Sequence, residues 1–171
     1  MNYAFRTFIL FMLINLSCLA ETQASFDVPE GWQYADLKTL PKSVKMMVVG
    51  KTNKEMPPSI NLGYEEFQGS LKDYLKIVQD FNRSQGDTWR DLGTVQTKAG
   101  PGSLSQLDMK SQWGTLRMMH LILKKDSMVY ILTASSLKEE FPKYYPVFFK
   151  ALQSFQLKDT SETDLKKNQQ K

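Results

Sequence analysis

Hydrophobic and polar positions change period several times along the chain, and each change marks an element. Behind the single positive charge of Arg6 runs the apolar stretch FILFMLINLSCLA, interrupted only by Asn15, Ser17 and Cys18. A membrane-spanning helix needs about 20 consecutive apolar residues. Here the run stops near Ala20, before the polar ETQAS, so residues 1–20 read as a secretory signal peptide. Small side chains at the third and first positions before a cut suit signal peptidase. Cys18-Leu19-Ala20 supplies them and predicts cleavage between Ala20 and Glu21, with Ala24 as the second choice. The rival is a lipoprotein cut in front of Cys18 and held on a membrane by acyl chains. Asn15 stands where that processing wants a branched apolar residue, so the unanchored form is favoured.

In SFDVPEGW, Phe26 and Val28 alternate with Asp27 until Pro29 stops the ladder, and Trp32 is placed to plug one end of a core. Residues 42–51, KSVKMMVVGK, read as a second strand. In SINLGYEEF, Ile60, Leu62 and Tyr64 alternate with Asn61, Gly63 and Glu65, the mark of a half-buried strand. The period then lengthens. Leu71, Tyr74, Leu75, Val78 and Phe81 recur at helical spacing, with Ser70 and Asp73 as a capping pair and Gly86 as the stop.

From Trp89 the period returns to two. DLGTVQTK predicts a strand, AGPG a tight turn, and SLSQLDMKSQW a strand with Leu107 and Met109 opposite Asp108 and Lys110. TLRMMHLILKK is nearly continuously apolar, as in a central strand covered on both faces, and MVYILTAS follows it in a three-stranded antiparallel meander. Phe141, Tyr144, Tyr145, Phe148, Leu152 and Phe155 then fall at helical spacing. Pro142 and Pro146 each remove an amide donor, so a short turn up to Phe141 and a main helix starting at Pro146 are expected. Residues 158–171 lack apolar periodicity and read as a mobile charged tail, leaving 21–157 as a single domain.

Strands, a helix, a run of strands and a closing helix, in that order, resemble the PsbP-like superfamily of PsbP, Ran-binding Mog-type and bacterial DcrB-type exported proteins. The resemblance rests on FDVPEGW, INLGYEEF with the SLKDYLKIVQDF helix, AGPGSLSQLDMK, and VYILTASSLKEEFPKYYPVFFKALQSFQL. It spans residues 26–157 and lies in the order and spacing of these segments rather than in one specific motif. It implies an α+β fold, an antiparallel sheet sandwiched by helices, and a non-catalytic binding or assembly role.

Composition narrows the function classes. The 22 Lys plus Arg and 18 Asp plus Glu are interleaved, so no basic stripe points to nucleic acid. Loss of Cys18 with the leader leaves no cysteine for disulfides. One histidine, His120, cannot form the clustered His and Cys set of a zinc site, and no cofactor or metal is expected. His120 lies inside a strand and reads as a packed or surface histidine; no GxSxG elbow accompanies it, which makes a cryptic hydrolase the weakest reading. AGPG lacks the Lys-Ser/Thr of a phosphate loop.

What remains is an exported, non-enzymatic binding or assembly module of the bacterial envelope, periplasmic or secreted, acting through contact with an unidentified envelope protein. Its one route to a membrane is the acyl anchor at Cys18. The alternative is a carrier of a small apolar ligand or lipid, using a cleft lined by Met46, Met47, Met109, Met118, Met119 and Met128. No segment specifies an oligomeric state.

Overall fold

Period-two segments that carry apolar residues on alternate positions must pair edge to edge and then cover the faces they create. The computed structural model describes residues 22–159, so the leader with Cys18, Ala20 and Glu21 and tail residues 160–171 lie outside the described residues. Ala24–Lys158 form one compact unit. Its centre is a seven-stranded antiparallel sheet ordered β2-β3-β4-β8-β7-β6-β5. The strands are β2 (Gln33–Tyr34), β3 (Val44–Val49), β4 (Ser59–Glu66), β5 (Thr88–Thr97), β6 (Gly100–Ser111), β7 (Gly114–Lys125) and β8 (Met128–Leu137). A separate two-stranded sheet pairs β1 (Thr22–Ser25) with β9 (Gln156–Asp159).

Two helices cover opposite faces, because successive residues of β7 and β8 point to opposite sides. Leu121, Leu123, Tyr130, Leu132 and Ala134 join a core with Phe141, Tyr144, Phe148 and Leu152 of α2 (Phe141–Gln153). Their sequence neighbours Ile122, Val129 and Ile131 pack instead with Tyr74, Leu75 and Val78 of α1 (Leu71–Ser84). The fold is therefore the α+β sandwich expected: an antiparallel sheet flanked by helices.

α1 begins where the capping pair predicts. The Ser70 side chain accepts from the Asp73 amide, and the Asp73 carboxylate accepts from the Ser70 amide at 3.1 Å. Trp32 plugs the end of the α2 core, edge-on to Tyr144 and Phe148 at 6.5 and 6.1 Å between ring centroids.

The helix α2 departs from expectation. It runs unbroken from Phe141 to Gln153, with Pro142 in its first turn and Pro146 inside it. An internal proline costs about 3 kcal/mol, whereas burying one large apolar side chain contributes about 1.5–3 kcal/mol. Five buried side chains on one face, Phe141, Tyr144, Phe148, Ala151 and Leu152, outweigh the lost bond. Tyr145 leaves the predicted stripe: it is 45% exposed and stacks on Phe149.

AGPG is not the turn. Lys98 and Ala99 turn the chain, and Gly100, Pro101 and Gly102 already pair with Thr97, Gln96 and Val95. Pro101 is tolerated because β7 joins β6 only from Ser103 onward, so the missing donor falls where β6 has a single neighbour. The strand near the start of the domain also shifts, to Thr22–Ser25, with Phe26 entering the core beyond its end. The meander has four strands rather than three, β5 through β8. β5 is the long edge of the sheet, and its register slips between Asp91 and Gly93, where Gly93 takes a positive φ of 87°.

Candidate functional site

The α1 side of the sheet carries an uncommon belt of short polar side chains. Register places Asn61 opposite Thr133, Thr133 opposite His120 and His120 opposite Ser105, so one row crosses β4, β8, β7 and β6, and the Ser59–Ser135 pair stands in the adjacent row. Part of this belt is internally satisfied. Ser59 Oγ and Ser135 Oγ are 2.9 Å apart, and His120 Nδ1 lies 3.0 Å from Thr133 Oγ1. Two atoms are not: Ser105 Oγ and His120 Nε2 are shut off from solvent without a hydrogen-bond partner.

The His120 ring lies under the Trp89 indole, centroids 6.0 Å apart and planes 14° from parallel. Burial there disfavours the imidazolium and brings the pKa from an ordinary 6.5 down to about 4. The imidazole is therefore neutral at pH 7. Its Nδ1 faces a hydroxyl rather than a carboxylate, and its Nε2 and the Ser105 hydroxyl do not bond each other. A serine nucleophile needs a base in hydrogen-bond contact and a group that orients the base; neither relation is present.

α1 covers only the middle of this face, leaving a cleft of about 810 Å³ between the helix and the β5–β6 ribbon. At about 100° per residue, Leu75, Gln79, Lys72 and Arg83 fall to one side of Leu71, and Tyr74, Phe81 and Ile77 fall to the other. The first flank lines the cleft. Leu71, Leu75, Trp89 and Pro101 give it apolar walls, while Ser103 and Ser105 supply hydroxyls from the sheet. Ser105 is the deep one, at 2% exposure. Charges of both signs stand at the exposed rim, and Lys76 pairs with Asp80 at 2.5 Å.

The second flank carries a ridge. Tyr74 is buried there, its hydroxyl donating to Glu65 Oε1 at 2.5 Å, and burial together with that bond raises its pKa. Ile77 and Phe81, one turn apart, are 57% and 63% exposed. Phe81 is thus not the core residue that its spacing predicts, because it falls about 80° from Leu71 around the axis, at the last turn of the helix.

Other polar clusters are structural. Asp108 receives two hydrogen bonds from Arg117, both 2.7 Å, and an ion pair from Lys138 at 2.9 Å; the Arg117 bonds hold its carboxylate down at about 2. Arg117 also lies over the Phe141 ring at 5.8 Å, tying the strand to α2. Among the described residues no group of His, Cys, Asp and Glu could hold a metal ion, and no helix is long and apolar enough to cross a membrane. The methionines do not converge: Met119 is in the α2 core, Met46 and Met128 pack against it, and none of the six lines the cleft.

Sequence reasoning missed Ser105 and Trp89. The signal was present in SLSQL: carrying the alternation back from Leu107 places Ser105 and Ser103 on the same row as an apolar residue.

A seven-stranded antiparallel sheet between two helices is the α+β sandwich that the resemblance implies, and solved structures share it. Among solved structures, the chain is similar to LpqN of Mycobacterium tuberculosis, described as involved in cell envelope biogenesis. The TM-score is 0.56 and the identity 12%, over 81% of this chain and 84% of LpqN. It is also similar to the Ran-binding protein Mog1p of Saccharomyces cerevisiae, TM-score 0.50, 15% identity, over 78% and 89% of the two chains. A protein of unknown function from Pseudomonas aeruginosa matches at TM-score 0.53 and 14% identity, over 74% and 85%. No family model and no curated protein matches the sequence. At these identities the likeness is one of fold.

Proposed function

We propose that the chain is an exported, non-enzymatic binding module of the cell envelope that works by contact with a protein partner. The observation that carries this reading is the ridge of Ile77 and Phe81, two large apolar side chains more than half exposed on the flank of a helix whose inner face is packed. Exposed apolar and aromatic side chains in a cluster are the usual anchors of protein contacts. The neutral, carboxylate-free surroundings of His120 support the non-enzymatic part. The envelope part rests on the leader, and LpqN, which shares the fold, is described in terms of envelope biogenesis.

The contact is tested by placing a photo-crosslinking residue at Phe81 in the full chain, in its native host. One discrete adduct in the envelope fraction is expected, and Ile77→Lys should abolish it. Both Ile77→Lys and Phe81→Lys should change folding stability by less than about 0.5 kcal/mol, since neither side chain is packed. No adduct, or one indifferent to Ile77→Lys, overturns the reading. Export has its own measurement. Intact-mass spectrometry of the processed protein should give an N-terminus at Glu21, and an acylated N-terminus at Cys18 would replace the unanchored form by a lipoprotein.

A further inference from the structure

We infer that the cleft between α1 and the β5–β6 ribbon is a binding site for a small uncharged organic molecule, one that lays a flat apolar part against Trp89 and hydrogen-bonds Ser105 Oγ. The site is separate from the Ile77–Phe81 ridge, because the two occupy opposite flanks of α1, and it stands or falls independently of the protein contact.

Four features converge on this ligand class. The volume, about 810 Å³, lies within the range of small-molecule pockets. Ser105 lies in the floor of the cleft with its hydroxyl buried and without a partner, so a turn about its Cα–Cβ bond is what brings that hydroxyl to a ligand. A hydroxyl in that state rewards any ligand atom that bonds it, since protein interiors leave few such groups unpaired. Trp89 is held in place by its stack on His120 and offers a fixed aromatic wall beside Leu71, Leu75 and Pro101. Finally, the sheet side of the cleft holds hydroxyls and a single carboxylate, Asp91, which is exposed and accepts the Gly93 amide at 2.8 Å, while the helix lysines, arginine and Asp80 stand at the solvent edge and partly neutralise one another. A charged group pushed down to Ser105 would lose its water, an anion would also meet the Asp91 carboxylate, and a cation would find that carboxylate only at the exposed edge, where water weakens the attraction. The neutral imidazole behind Trp89 leaves that polarity unchanged across the physiological range.

The three tryptophans, Trp32, Trp89 and Trp113, make the test selective. The full processed chain, labelled with 5-fluorotryptophan, is titrated with benzamide, phenol and indole-3-carboxamide and followed by fluorine NMR, with Trp89→Phe assigning the resonance. At least one of these uncharged probes should shift the Trp89 signal saturably while Trp32 and Trp113 stay in place. Ser105→Ala should weaken that probe about fivefold and leave the three-signal spectrum of the folded chain intact. Benzoate and benzylammonium, the charged counterparts of benzamide, should bind about tenfold more weakly or worse. A shift by none of the three probes, equal binding of the charged counterparts, or a Ser105→Ala chain that binds like the parent overturns the inference. In the last case the Ser105 hydroxyl is served by an ordered water only.

Discussion

Truncation of Phe148 to alanine should cost about 3–5 kcal/mol of folding stability. Phe148 has no exposed surface, sits on the inner face of α2, and meets Phe141 at 5.4 Å, Tyr144 at 6.0 Å and Trp32 at 6.1 Å between ring centroids. Removing the ring leaves a cavity walled by other rings that cannot collapse into it, so both the transfer term and the cavity term are felt. Tyr145, three residues earlier on the same helix, provides the contrast: Tyr145→Ala should cost less than about 1 kcal/mol, because that ring is half in water. Urea denaturation of the two variants measures both. Similar losses would mean that α2 is not seated on the sheet through the Phe148 face.

Acidification from pH 7 to pH 4 should bring the second large effect, chiefly through one group. His120 titrates at about 4 in the folded chain against an ordinary 6.5, because burial disfavours its charged form. The folded state therefore binds fewer protons than the unfolded state between these values. The stability contributed by this group is complete above pH 6.5, falls as pH drops toward 4, and levels off below, where the Asp108 carboxylate begins its own loss toward about 2. A difference of this size corresponds to about 3 kcal/mol. His120→Gln removes the titration, so the difference in stability between parent and variant should shrink on the way from pH 7 to pH 4. Denaturant unfolding at several pH values checks this, and parallel pH profiles for the two chains would mean that the ring is solvated in the folded state.

The parts of the fold legible in the sequence are those where one period dominates. β4, α1 and the strands from β6 to β8 followed from alternation or from the 3.6-residue repeat, and Ser70 with Asp73 marked the start of α1 to the residue. Misreadings arose where a local rule competes with tertiary burial. Pro146 argues against a helix locally, yet the α2 face around Phe148 is buried strongly enough to carry the proline. Pro101 between two glycines argues for a turn, yet it falls at a stretch of β6 that needs no second partner. Phe81 has the right spacing for the core but the wrong angle.

The candidate site was less legible than the fold. A serine row on a strand reads as a solvent face from sequence alone. Only the placement of α1 above it, set by the distant residues Ile122, Val129 and Ile131, turns that row into the lining of a cleft.

The register slip in β5 has a consequence for the molecule in a crowded compartment. A ten-residue outer strand offers a row of unsatisfied amides and carbonyls on which a stranger's backbone could zip up. The extra residue at Leu92 and the left-handed turn of Gly93 break that row near its middle, so neither half presents a template long enough for a stable intermolecular ladder. The same kink that bends the ribbon beside the cleft thus serves as a guard against fibre-like stacking, and deleting Leu92 would restore an unbroken row along that rim.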